Sequence, residues 1–332
     1  MWNVLNWLQK NLVWSIPLAM LAGLGFGQLA DPGFLSGAIL PLTFLMVYPM
    51  MVTMNVKELL KPGGGKLQGT TLAINFILMP AIGYGVGLLF FGDQPMVRLA
   101  LLLTALLPTS GMTISWTGFA KGNVPAAVKM TVVGLIVGSL LAPVYLKLLL
   151  GTVVEIPVRQ VFFQIALIVF LPLLLGTLTQ RWLIGKHGEP HFNQKLKPRF
   201  PPFSTLGVLG IVFVSMALKS RDIFAHPGLL PGLLLPLVLI YAINFAISTV
   251  VGKTMFSRGD AIALVYGTVM RNLSIALAIA MGVFGSAGAD AALLIALAYI
   301  VQVQAAAWYV KLTNRLFGAP PAPAAPAAAK GG

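Results

Sequence analysis

The chain has no cysteine. Disulfides, thiolate metal centres and thiol nucleophiles are excluded at once. Charge is also scarce: 9% of the 332 residues are Asp, Glu, Lys or Arg, against roughly 25% in an ordinary soluble domain. Negative charge is scarcer still. The eight acidic residues (Asp31, Glu58, Asp93, Glu155, Glu189, Asp222, Asp260 and Asp290) lie in loops or at the ends of apolar runs, and so do His187, His191 and His226. No carboxylate or imidazole stands in the middle of such a run. The groups an intramembrane protease needs, an embedded Asp pair, a Ser-His pair or an HExxH zinc site, are therefore missing. No metal or cofactor site is expected. The longest polar stretch, about residues 183–202, is too short to fold alone, so no soluble output domain of a receptor is expected either.

What the chain has in abundance is apolar length. It is 58% hydrophobic, with a mean hydropathy of +0.90. A hydrocarbon core of about 30 Å takes about 20 apolar residues per helix. Runs of that kind fall near 12–30, 34–54, 70–91, 97–117, 124–149, 160–180, 203–219, 229–252, 260–283 and 289–312. The expectation is an all-α integral membrane protein of ten transmembrane helices over residues 12–316. Residues 1–11, with two Trp and one Lys, read as an interfacial segment rather than a cleaved signal peptide. Residues 317–332, rich in Ala and Pro, read as a disordered tail.

The net charge of +14 does not point to nucleic acid, because the basic residues are spread over short loops rather than gathered in one stripe. In a membrane protein that spread reports topology. Of 22 Lys and Arg, Lys129 and Arg271 fall inside apolar runs; five (Arg98, Lys147, Arg159, Lys219, Arg221) fall in loops of one side, and the remaining 15 in loops and tails of the other. That asymmetry places both termini in the cytoplasm, in a multi-pass protein of the cell membrane whose surroundings are lipid.

The two cations inside the runs matter because a charge at the bilayer centre costs at least roughly 2.5–3.5 kcal/mol and marks a functional pathway by default. For Arg271 the competing reading is a structural tie to backbone carbonyls of a broken helix. For Lys129 it is snorkelling to the cytoplasmic surface. Two runs are also interrupted. The fourth contains Leu107-Pro108-Thr109-Ser110-Gly111-Met112-Thr113, and the ninth Tyr266-Gly267-Thr268-Val269-Met270-Arg271-Asn272-Leu273-Ser274. Pro removes a backbone donor and Gly loosens the helix. Ser, Thr and Asn can satisfy the groups set free. Such breaks are tolerated only where they are buried in protein or line a cavity. Fourth and ninth of ten are matching members of two five-helix halves, and an odd number of spans per half makes the halves inverted. Matched breaks in inverted halves point to a transporter site at mid-membrane.

The segments PTSGMTISWTGFAKGNVPAAVKMT and LLAPVYLKLL resemble helices 4 and 5 of the bile acid:sodium symporter superfamily, and MRNLSIALAIAMGVFG resembles its helix-9 crossover. The run LMVYPMM at 45–51 is similar to the arsenite efflux carriers within that superfamily. The resemblance spans about residues 15–316. It implies two inverted five-helix repeats with helices 4 and 9 crossing at their breaks, and a four-helix panel (1, 2, 6, 7) that moves against a six-helix core (3, 4, 5, 8, 9, 10). In the sodium-coupled members it implies ion ligands that match Thr113, Ile114, Ala127, Thr131, Gly267 and Arg271 here. Only Thr113 and Thr131 keep a suitable oxygen, and a hard cation needs several. The arsenite carriers use a Cys in the helix-4 break and a Glu in helix 9, where this chain has no Cys and has Ser274.

The resulting expectation is a secondary transporter or facilitator for a small, anionic solute. Thr109, Ser110, Thr113, Thr268, Arg271 and Asn272 would bind it, with Arg271, Lys129 and Thr131 in place of the usual coupling site and no Na⁺ coupling there. Trp116 and Tyr266 either wall the site or serve ordinary helix packing. An arsenite carrier without the usual Cys, an ordinary sodium:organic anion symporter and a channel are the alternatives.

Overall fold

The computed structural model describes residues 2–54, 64–152, 154–225 and 228–319. Most of the tail read as disordered therefore lies outside the described residues. Sixteen α-helices follow one another, with short 3₁₀ and π segments between some of them and no named strand among the described residues. Among the described residues seven helical stretches are long and apolar enough to cross a membrane, or eight if the bent pair at the N-terminus counts as one. This is an all-helical, multi-pass membrane protein.

The helix α1 (Trp2–Lys10) joins α2 (Leu12–Leu29) with a bend of 101°. A 3₁₀ turn leads to α3 (Ile39–Val52). The next run is α4 (Gly65–Ala73), a π turn and α5 (Met79–Phe90). Then come two short helices, α6 (Pro95–Leu106) and α7 (Gly111–Phe119), and the long α8 (Val124–Leu150). Helix α9 (Val158–Ile165) passes through a second π turn into α10 (Leu171–His187), and α11 (Glu189–His191) leads into α12 (Pro201–Ala225). The rest is α13 (Leu229–Met255), the short pair α14 (Arg258–Val269) and α15 (Leu273–Phe284), and α16 (Ala289–Phe317). These two π turns and a third at 192–196 each end two residues before a proline, Pro80, Pro172 and Pro198. A proline inside a helix lacks its donor and pushes on the preceding turn, and widening that turn relieves the clash.

Two groups of helices form. In one, α2, α3, α10 and α12 pack on each other. Small residues allow the approach: a Cβ on Gly27 would lie 2.2 Å from the Ala217 carbonyl oxygen of α12, and one on Gly207 2.4 Å from the Met46 nitrogen of α3. Without a hydrophobic drive between helices in lipid, such backbone proximity supplies the packing energy. The other group contains α4 to α8 and α13 to α16. Between the groups, α16 touches α12 and α2, and α15 touches α3 and α9. Every residue from Ala261 to Asn272 is buried, so the interrupted run 258–284 passes through the centre of the second group.

Candidate functional site

The two interruptions meet. Between α6 and α7 the chain leaves the helix at Leu107–Ser110; between α14 and α15 it does so at Met270–Asn272. Pro108 and Arg271 form an isolated antiparallel bridge. The Thr109 N–H donates to the Met270 carbonyl and the Asn272 N–H to the Leu107 carbonyl, both at 2.7 Å. Four half-helices therefore end at one crossing, and each break supplies the backbone partners the other lost. Buried backbone groups need such partners, since an unpaired one costs as much as a lost hydrogen bond.

Thr109 bends the first break with φ of 62°. Its hydroxyl donates to the Pro108 carbonyl at 2.7 Å and reaches the Thr131 carbonyl at 3.3 Å. Thr131 in turn donates its own hydroxyl to the Ala127 carbonyl. Ser110 and Thr113 form a capping box at the start of α7: the Ser110 hydroxyl accepts from the Met112 N–H, and the Thr113 hydroxyl from the Ser110 N–H. Asn272 caps α15 through the Ile275 N–H. Ser110 and Asn272 thus each satisfy one of the orphan donors of a helix N-terminus. Thr268 donates back within α14 and shares a 2.6 Å hydrogen bond with Ser248 of α13.

Arg271 is 3% exposed. Its Nη1 donates to the Ala105 carbonyl at 3.1 Å, on the last turn of α6. The cation thus stands at the negative end of a half-helix, where the macrodipole favours it. This is the tie to a broken helix's carbonyls that the sequence offered as one of two readings. The tie is incomplete: Nη2 is buried and has no hydrogen-bond partner. Lys129 lies half-buried on α8, two residues before Thr131. Tyr266 is buried and its hydroxyl donates to the Ala306 carbonyl. Trp116 is half-buried, edge-on to Phe119 at 5.5 Å.

Several residues that hold the crossing were passed over in the sequence. Asn75 donates to the Gly267 carbonyl and Asn244 to the Thr268 carbonyl, both at 2.9 Å. Gln302 of α16 pairs with the Arg271 backbone on both its N–H and its C=O. One signal was available. The tetrapeptide Ala-Ile-Asn-Phe occurs at 73–76 and again at 242–245, in the third and eighth apolar runs, the matching members of two five-run halves.

The polarity of the crossing follows. The carbonyls of Ala105, Leu107, Pro108, Gly267, Thr268, Met270 and Arg271 each accept from a donor of the protein itself. The space beside Gly267 is also taken, since a Cβ there would lie 2.6 Å from the Met130 sulfur. Among the described residues no acidic side chain reaches the crossing; Asp260, at the far end of α14, accepts from Asn123 at 2.7 Å. A cavity of about 600 Å³ lies elsewhere, between α3 and the π turn of 166–170, with apolar walls that include Leu40, Phe44, Tyr48 and Ile168.

Crossed half-helices inside a multi-pass bundle are transporter architecture. The pattern of the sodium bile acid symporter family matches residues 40–226. The chain belongs to that family. It is a secondary transporter, as the resemblance of its motifs implied. It is similar to the arsenical-resistance protein Acr3 of Corynebacterium glutamicum, 25% identical over 86% of this chain and 84% of that one. Acr3 of Alkaliphilus metalliredigens is 24% identical over 67% of this chain and 69% of its own length. Sodium/bile acid cotransporter 7 of Rattus norvegicus is 25% identical over about half of each, 51% and 49%.

Proposed function

We propose that this family member carries a small organic anion by alternating access and does not couple to Na⁺ at the crossing. In this reading the bundle has ten spans in two inverted five-helix halves. Seven pass as long helical stretches, α2 of the bent N-terminal pair supplies the first, and the interrupted pairs α6–α7 and α14–α15 supply the fourth and ninth. The group α2, α3, α9–α10 and α12 is the panel, the remainder the core, and both termini face the cytoplasm.

The observation that carries the reading is the donor set at the crossing. A cation site needs free oxygen ligands, preferably negative ones. Here the carbonyls named above are already engaged and a guanidinium, which stays charged, stands among them, so the residues present do not fit a sodium ion. Two helix N-termini, those of α7 and α15, open at the same place, and one donor of Arg271 is left over. N-terminal amides and an unsatisfied cationic donor favour an anion. Thr109, Ser110, Thr113, Thr268 and Asn272 bring hydroxyl and amide groups to the two breaks, while Lys129 and Thr131 lie on one turn of α8.

The test is the thermal stability of the purified protein with p-toluenesulfonate, benzoate, neutral benzamide or arsenite, with and without Na⁺, for wild type and Arg271→Gln. A stabilisation by the anions alone, indifferent to Na⁺ and lost in the variant, is expected. Stabilisation by Na⁺ over K⁺ with a common counter-ion and none of the organic anions would sink the proposal. A response to arsenite alone would favour the second reading, suggested by the similarity to the two Acr3 proteins, of a metalloid carrier that binds a neutral hydroxide through Ser and Thr.

A further inference from the structure

Gln302 sits on α16, outside both interruptions, and is fully buried. Its Oε1 accepts from the Arg271 N–H at 2.7 Å and from the Tyr241 hydroxyl at 2.9 Å, and its Nε2 donates to the Arg271 carbonyl at 3.3 Å. A residue in an antiparallel ladder turns its own N–H and C=O to one side, and its neighbours' groups point to the other. Residue 271 obeys that rule. The Met270 carbonyl and the Asn272 N–H go to the 107–109 segment, whereas both groups of Arg271 itself go to Gln302. The side-chain amide, which carries one donor edge and one acceptor edge, thus takes the place of a third strand. The segment 270–272 is paired on both sides although only one side faces another backbone.

We propose that Gln302 is the positioning residue of the crossing: by pairing the Arg271 backbone it fixes where the guanidinium stands and so sets the preference for an anion. The proposal rests on the reading of Arg271 as the anion's anchor. Its physical content is geometric. With both edges of the segment held, the Cα–Cβ bond of Arg271 has one direction, and the guanidinium falls on the Ala105 carbonyl with Nη2 left over. Without Gln302 the N–H and C=O of a buried residue lose their partners. The segment must then shift to find others, and the charge moves with it. Tyr241, which loses its acceptor in the same step, and Arg271 are the ionisable groups tied to this amide.

The experiment uses the full chain with Gln302→Ala and Gln302→Glu and two readouts. The first is hydrogen exchange of the peptide that contains residues 270–272, which needs no ligand. The second is the affinity for p-toluenesulfonate, which stays ionised throughout, read from thermal stability. In Gln302→Ala the exchange should quicken and the affinity fall, each by roughly tenfold. Gln302→Glu is the conservative rescue. From about pH 4 to about pH 9 the introduced carboxyl, which burial favours in its neutral form, passes from protonated to ionised. Protonated, it keeps one acceptor and one donor and should approach wild type; as it ionises it loses the donor, sets a negative charge beside Arg271, and both readouts should move toward the Ala variant. Wild-type affinity should be flat across that range, and because amide exchange is itself base-catalysed each variant's exchange is compared with wild type at the same pH. Wild-type exchange and affinity in both variants at every pH would overturn the proposal. If wild type itself ignores the sulfonate, the anion reading fails, while the exchange still decides whether Gln302 holds the segment.

Discussion

Thr109 is β-branched, yet it has φ of 62°, a conformation such residues avoid and that costs about 1–3 kcal/mol when it is imposed. The strain persists because it aims the Thr109 N–H at Met270, and the hydroxyl recovers part of the cost through the Pro108 and Thr131 carbonyls. Thr109→Gly should therefore melt within about 1 kcal/mol of wild type, strain relieved against hydrogen bonds lost, whereas Thr109→Val keeps the strain, loses both bonds and should cost about 1–3 kcal/mol. Thermal unfolding in detergent compares the two. Gly134 makes room for that side chain: a Cβ there would stand 2.6 Å from the Thr109 hydroxyl, and Gly134→Ala should cost about 1–3 kcal/mol by overpacking. At this scale the sequence showed charge and breakage well. Arg271 stood out because a cation in an apolar run is rare, Thr109 and Ser110 because they sit beside Pro108 and Gly111, and Asn272 because it follows Arg271. Asn75, Asn244 and Gln302 did not, because a lone amide in an otherwise apolar run breaks no local pattern. Their role is visible only once α14 is beside them.

Half-helices are the elements that need explanation, since α6, α14 and α15 have 12 residues each and α7 has nine. Isolated helices of that length are marginal, so these are held by their ends. For α7 the start is the Ser110–Thr113 capping box. Ser110→Ala should cost about 1 kcal/mol of stability and quicken hydrogen exchange through 111–114 more than elsewhere. At the opposite end the Arg258 guanidinium donates to the Lys121 carbonyl at 2.8 Å, the Gly318 carbonyl at 2.7 Å and the Asn314 side chain at 2.9 Å. It joins the α7–α8 turn, the start of α14 and the end of α16. Lysine cannot reproduce a forked set of donors. Arg258→Lys should leave the family's transport chemistry in place but expose the 118–123 turn to protease, read as faster cleavage there. The apolar runs found the elements well: each coincides with a helix or with a helical pair in the structure. The pairing of the two breaks was not written in the runs, because it is made by backbone atoms whose partners lie about 160 residues away along the chain.

Over the whole molecule, a set of polar contacts joins the two helix groups at one end. Ser220 of α12 donates to the Leu24 carbonyl at 2.6 Å, which places the end of α2 beside the end of α12. One residue earlier, the Lys219 ammonium lies 2.7 Å from the Asp290 carboxylate on the first turn of α16. At the same end the Gln160 amide of α9 donates to the Val283 carbonyl of α15 at 3.4 Å, and Gly282 leaves room for the Gln164 side chain. If panel and core rock against each other, the Lys219–Asp290 and Gln160–Val283 contacts and the packing of Gln164 on Gly282 must part when that end opens. Lys219 is 17% exposed and Asp290 47%, so water and salt weaken the pair to about 0.2–1 kcal/mol. Its loss should shift the balance between the two faces by up to roughly fivefold. The lack of cysteine makes that measurable. In a Ser110→Cys background the introduced thiol is the only one in the chain, and a membrane-impermeant maleimide added on the Lys219 side reports how often the crossing is open there. Lys219→Asp and Asp290→Lys should each speed that labelling, and the double exchange should slow it again, because only the double variant restores the pair. High salt should narrow the differences. Equal labelling in all four proteins would mean that the ion pair does not hold this end closed and that packing between α9 and α15 alone sets the balance.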